Sequence, residues 1–228
     1  MKMAKGKLII IEGTDCSGKE TQSTKLYERL REENKKIEKR SFPNYNSPTG
    51  KIVGGPYLGK AYISNGWFPE GAMNVNPKVA SLYYTADRLY NIEEINKLLD
   101  KGYSVILDRY TSSNMAHQGG KIKSKKERKK MYEWLDSLEY QLVGLPKPDI
   151  TIFLHLPYQH SYELKKNRKE SADQHEVSES HLKNAEMAYL ELAELYNWHT
   201  IECIKNDKLR SINNINNEIM KIINKEIN

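Results

Sequence analysis

The chain has 228 residues, 36 Lys plus Arg against 30 Asp plus Glu, and a formal net charge of +6. That length suits one α/β domain or two small ones, and it buries about 70% of the unfolded chain's surface, enough to fold without disulfide or metal staples. Two cysteines, Cys16 and Cys203, exclude a disulfide framework and suit a reducing compartment, and no apolar run reaches the roughly 18 residues of a membrane span.

The N-terminal segment has a four-residue apolar run, too short for a signal peptide, so a cytoplasmic protein with no membrane partner is expected. That run, KLIIIEG (7–13), is β-branched and closes on glycine, as a parallel strand buried on both faces does. Residues 19–36 follow with helical spacing around Leu26 and Leu30. Between them lies GTDCSGKET (13–21), in which Gly13, Gly18 and Lys19 match a phosphate-binding loop, G-x-x-x-x-G-K-[ST], in the strand-to-helix context that motif needs. Glycines at 13 and 18 let the backbone approach a phosphate, and the N–H groups from Thr14, Asp15, Cys16 and Ser17 onward, with the helix N-terminus, supply positive potential. Lys19 adds a full charge for the β- and γ-phosphates.

The motif asks for a hydroxyl after the lysine to hold Mg²⁺, and this chain has Glu20. Two placements are open. Glu20 coordinates Mg²⁺ directly or through water, carboxylate being a normal ligand, or it turns outward and leaves Thr21 on the α-phosphate. Repulsion between carboxylate and phosphate favours the outward placement.

A weaker strand is expected at 36–42, then a Gly/Pro/Asn-rich stretch (43–77) with one short helix around 52–58. Residues 77–102 read as a helix with Pro77 near its start and Gly102 closing it. It carries Arg88 beside Tyr83 and Tyr84, an arrangement that stacks a base and grips a phosphate, with ordinary core packing as the plain alternative for the tyrosines. In YSVILDRY (103–110), Asp108 ends an apolar strand as a Walker-B-type acid does, placed for Mg²⁺ or its water, and Arg109 offers a fork of donors for phosphate. A strand-end salt bridge is the plain alternative. Helix with loop fills 111–144, including the basic run KIKSKKERKK (121–130), which reads as a solvated helix start rather than a nucleic-acid patch. Strands at 147–156 and 198–203, helices at 157–168 and 178–197, and a C-terminal helix with Ile212, Ile215, Ile219, Ile222 and Ile223 on one face complete the chain.

Five strands alternating with helices, with no linker or repeat, predict a single α/β domain over 1–228: a doubly wound five-stranded parallel sheet with helices on both faces. Ligands then bind at the carboxyl ends of the strands, where EGTDCSGK and LDRY sit.

IIIEGTDCSGKETQ, RSFPNY, YYTADR, DRYTSSNMAHQG, LPKPDITIFLHL and DQHE occur in the order seen in thymidylate kinases. The chain resembles that family over residues 7 to about 204, and DRYTSSNMAHQG is the most specific piece. The resemblance implies a P-loop kinase fold, transfer of the ATP γ-phosphoryl group to dTMP with Mg²⁺, and a homodimer. It implies catalytic roles for Lys19, Asp15, Arg109, Asp108 and Arg168, with Asp15 at the sugar 3′-hydroxyl. Phe42 and Pro43 would border the nucleotide, Tyr84 stack on thymine, and Arg88 and Arg109 grip the dTMP phosphate. Asn114 would reach the base edge, His117 sit near C2′, and Gln118 stand on the same substrate side. Arg168, with Lys165 and Lys166, would belong to a small lid at about 165–178.

Four features depart from the pattern, one being that the lid segment DQHE (173–176) has fewer positive charges than in some relatives. Besides Glu20, Cys16 stands where some members carry an arginine, which assigns transition-state charge to the lid cations. Asn44-Tyr45 stands where some carry a phosphate-binding arginine, so the Tyr45 hydroxyl substitutes or the contact is lost. The alternatives are a kinase for another nucleoside monophosphate or a deoxynucleoside, and a non-catalytic nucleotide sensor, for which Glu20 and Cys16 are the arguments.

Overall fold

The computed structural model describes residues 4–166 and 179–227. Among these, the strands β1 (Leu8–Gly13), β2 (Ile37–Ser41), β3 (Ser104–Asp108), β4 (Ile150–His155) and β5 (His199–Glu202) form a parallel sheet in the order β2-β3-β1-β4-β5. Every residue of β1 is buried, because β1 lies at the centre of the sheet with helices over both faces. A short antiparallel ribbon, β6 (Ile204–Lys205) with β7 (Lys208–Leu209), was not anticipated; two-residue strands carry no periodicity to read.

The pleat of β1 divides the core. Ile9 and Ile11 face Leu26 and Leu30 of helix α1 (Lys19–Glu32) and Ile215, Ile219 and Ile223 of the C-terminal helix. Leu8 and Ile10 face the opposite layer, Ile92, Ile95 and Leu99 of α3 (Pro77–Asp100). Each such Leu or Ile withdrawn from water contributes about 1.5–3 kcal/mol. Because the two faces alternate residue by residue, a one-residue slip of β1 would exchange the helix layers.

The expected short helix near 52–58 is instead α2 (Pro48–Ile52), begun by the Ser47 side chain accepting from the Gly50 N–H, and it runs into a π-helical turn at Val53–Tyr57. α4 (Thr111–Gly119), almost wholly buried, packs on α7 (Glu179–Leu195), α3 and α5 (Lys125–Asp136). α5 opens with Ser124 as its cap; the neighbouring lysines are exposed, while Arg128 is buried and holds Glu191 of α7 at 2.7–2.9 Å. α6 is Tyr158–Lys166, and α8, Ile212–Ile227, buries Ile215, Ile219 and Ile223 but leaves Ile212 52% exposed, outside the apolar face assigned to it.

Candidate active site

β1 delivers the phosphate loop at the carboxyl edge of the sheet. Gly13 is required there: a Cβ would meet the Ser17 hydroxyl and the Leu154 carbonyl, the latter at 2.7 Å. Two left-handed residues, Cys16 (φ 60) and Gly18 (φ 82), turn the chain into α1. Gly18 caps α1 without a side chain, so the first N–H groups of that helix keep their positive ends for an anion. The Lys19 ammonium is buried and donates to the Thr14 carbonyl at 2.7 Å. Burial, then repulsion from Arg109, pulls its pKa down to about 8.

Asp15, inside the loop, faces two cations. Arg109 Nη2 donates to Oδ1 at 2.6 Å and Lys165 Nζ to Oδ2 at 2.9 Å. Burial alone would raise the Asp15 pKa, but Arg109, Lys165 and Lys19 hold it well below the usual carboxylate range. Arg109 follows β3 in the left-handed region (φ 65), rare for a non-glycine residue and of the kind that gathers at functional sites. That turn sends its guanidinium to Asp15, to Ser113 at 3.4 Å and to His117 Nε2 at 3.1 Å.

Loop and arginines share one cleft of about 360 Å³. All the acceptor-side residues expected from sequence line it: Phe42, Pro43, Tyr45, Tyr84, Arg88, Arg109, Asn114, His117 and Gln118, together with Asp15 and Glu20. The Phe42–Pro43 peptide is cis. Tyr83 does not line the cleft; it packs on Tyr57 and Phe68, the core role, whereas Tyr84 meets Tyr57 edge-on at 5.7 Å and borders the cleft. Glu20 is exposed and lies at the cleft wall, and Thr21 is exposed on the outer side of α1 with Thr24 and Lys25. Asp108 is half-buried at the end of β3, close enough for its charge to act on Lys19. Arg168 and most of the expected lid lie outside the described residues.

Several residues that sequence reading missed hold this geometry. Glu139 clamps Arg88: Nε donates to Oε2 at 2.9 Å and Nη2 to Oε1, with Thr85 and Asn114 donating to the same Oε1. Glu12, the acid in IIIEG, is fully buried and accepts from Tyr110 N, Ser112 Oγ, Ser113 N and Oγ, and Tyr189 OH at 2.6–3.0 Å. It thereby ties the start of α4 to the loop. Glu12 stood in a visible motif; Glu139 lies 51 residues beyond Arg88, and no local signal marks it. Leu58, Lys60, Tyr110 and Ser113 also reach the cleft.

Asn114 Oδ1 and both amide atoms of Gln118 are buried without a hydrogen-bond partner among the described residues. Buried amides are normally paired, so their position at the cleft suits a polar ligand. None of the described helices is long and apolar enough to cross a membrane.

A doubly wound parallel sheet, a phosphate loop between its central strand and first helix, and an Asp-Arg pair ending β3 define a P-loop nucleotide kinase. The family model for thymidylate kinase matches residues 11–219, and the chain belongs to that family. It is similar to the thymidylate kinase of Prochlorococcus marinus (strain NATL2A), 33% identical over 227 residues covering 96% of this chain and 98% of that one. The Schizosaccharomyces pombe thymidylate kinase is 29% identical over 222 residues, 97% of this chain and 93% of its own. A solved structure of Candida albicans thymidylate kinase superposes with a TM-score of 0.74 at 26% identity, covering 98% of this chain and 94% of that chain.

Proposed function

We propose that the chain transfers the γ-phosphoryl group of ATP to the phosphate of dTMP, giving ADP and dTDP. The observation that carries this reading is that the phosphate loop opens into the same cleft as Arg88, Arg109, Tyr84, the unpaired Oδ1 of Asn114 and the unpaired amide of Gln118. The loop takes the triphosphate, the arginines the acceptor phosphate, Tyr84 the base plane and the amides its edge.

A phosphate oxygen of dTMP attacks the γ-phosphorus in line with the bond to the β,γ-bridging oxygen. That bond breaks and ADP leaves with the electron pair. The attacking oxygen is already anionic, so no strong base is needed, and the protein's work is alignment and charge neutralisation. Lys19 and the loop N–H groups hold the moving group's side, and Arg109 with Arg88 holds the acceptor. Asp15, kept anionic by its cations, can only accept hydrogen bonds, which suits the sugar 3′-hydroxyl. The contact of Lys165 with Asp15, at 2.9 Å, supports a role for this cation at the transfer zone where Cys16 supplies none.

Asp108, whose charge acts on Lys19, and Glu20 at the cleft wall are carboxylate donors of the kind Mg²⁺ takes. Asp108 and Glu20 would hold it, directly or through water, a sparse protein share that suits an ion which keeps waters and binds substrate phosphates. Bound there, Mg²⁺ would neutralise phosphate charge.

A homodimer is proposed on α3, whose Val79, Leu82, Leu89 and Tyr90 are 41–61% exposed along one helical stripe; α4 offers no such surface, being almost wholly buried within the chain. Two thiols and no membrane helix among the described residues suit a cytoplasmic enzyme. The sensor alternative is not favoured, because the acceptor half of the cleft is as completely built as the loop.

The test is ADP release from ATP·Mg²⁺ with dTMP, dUMP, dCMP, dGMP and thymidine offered separately. Turnover on dTMP that is lost in Lys19→Ala and Arg109→Ala is expected. Near-wild-type transfer by either variant, or no preference for dTMP, would sink the reading.

A further inference from the structure

His117 and His181 form an imidazole pair that enters no step above. His117 Nδ1 lies 3.2 Å from His181 Nε2, with ring planes 20° apart. His117 Nε2 lies 3.1 Å from Arg109 Nη1. His117 is half-buried on α4, and His181, on the first turn of α7, is 4% exposed. We propose that His181 is a positioning residue for the acceptor phosphate: it accepts the His117 Nδ1 proton, leaving His117 Nε2 as the acceptor that aims the Arg109 guanidinium.

The direction of the chain follows from donor inventory. A guanidinium only donates and is never deprotonated in a protein. The nitrogen facing Arg109 must therefore be the bare one, and the His117 proton sits on Nδ1. Nδ1–H then points at His181 Nε2, which must be bare in turn. The opposite tautomer, or an imidazolium, would set an N–H against Arg109.

The groups facing His117 agree. On the phosphate loop, the Asp15 carboxylate takes the other arm of Arg109 at 2.6 Å. On α7, Tyr189 meets the His117 ring edge-on at 5.9 Å and is itself held by Glu12 at 3.0 Å. Arg109 thus has one arm set by the loop and one by α7, through His117. Without His181, the His117 ring loses the Nδ1–H acceptor that supports the tautomer Arg109 demands. A backbone turn alone (φ 65) would leave the long Arg109 side chain several rotamers.

The role in phosphate positioning rests on the reading that Arg109 grips the acceptor phosphate; the tautomer does not. Imidazole ¹⁵N NMR of the full chain at about pH 8, where an ordinary imidazole is neutral, reads it directly. Expected is a His117 resonance pair with Nδ1 protonated and Nε2 bare. A proton on Nε2 overturns the proposal, and this readout needs no variant to fold.

His181→Phe keeps the ring and removes the acceptor. It is expected to mix the His117 tautomers and to raise KM for dTMP about tenfold, with kcat and KM for ATP changed less than about threefold. His181→Gln, which retains an amide acceptor, should recover most of the loss. Unchanged tautomer and dTMP KM in His181→Phe would overturn the proposal. A wild-type protein with the expected tautomer but no dTMP turnover would keep the alignment of Arg109 and refute the assigned reaction instead.

Discussion

Arg88 and Glu139 pair where water does not reach: the arginine side chain is 2% exposed and the glutamate 0%. Glu139 occupies Nε and Nη2 of the fork, which sets the plane of the guanidinium at the cleft wall. A fork locked at one edge presents its remaining N–H donors in fixed directions, which is what a phosphate clamp needs.

Glu139→Ala is expected to cost roughly 3–5 kcal/mol in urea unfolding, because it strands a buried cation. Replacing both partners with apolar residues should cost much less in stability while still raising KM for dTMP. A single Glu139→Ala variant with a wild-type unfolding midpoint would show that Arg88 finds another partner.

Lys19 bears on pH. Its native pKa of about 8 lies below the ordinary 10.5. Between these values the unfolded chain binds more protons, so this group makes stability rise with pH through that window. A bound triphosphate favours the charged form, so nucleotide binding near pH 8 should take up protons. Titration calorimetry in buffers of different ionisation enthalpy reads this, and an uptake that persists in Lys19→Met would assign it elsewhere.

Glu12 organises the turn from β3 into α4. Glu12→Ala would leave two backbone N–H groups and three hydroxyls without their acceptor. It should destabilise by at least about 3 kcal/mol and raise KM for dTMP through Arg109 and Ser113. Intact stability in thermal unfolding would refute this.

The two thiols should differ. Burial pushes Cys203 up to about 12, so it stays unreactive, whereas Cys16 is half-buried in the loop. One fast equivalent of thiol reagent per native chain is expected, slowed by ATP. Two fast equivalents would contradict the packing of Cys203 against Ile201 and Ser17.

Much was legible in the chain itself. The apolar β-branched runs mark the strands of a parallel sheet because both faces of such a strand are buried, so every residue carries the signal. Gly13, Gly18 and Lys19 are legible because a phosphate imposes close backbone approach and positive charge within seven residues. Arg88 and Tyr84 are legible as an arginine beside an aromatic on one helix, whereas Phe42, Asn114 and His117 came through resemblance, and all five reach the cleft. The extent of α8's apolar face, the π-helical turn at Val53–Tyr57 and the β6–β7 ribbon were not legible, because end effects and short turns leave no period.

Tertiary structure alone decided the partners. Glu139 is chosen for Arg88 by the packing of α3 against residues 137–142, His181 for His117 by the packing of α7 on α4, and Lys165 for Asp15 by the placement of α6 over the loop. Local sequence specifies backbone conformation and which face is apolar. Which buried charge meets which is settled only when separate segments close on each other, since the cost of burying an unpaired charge is felt there and nowhere earlier.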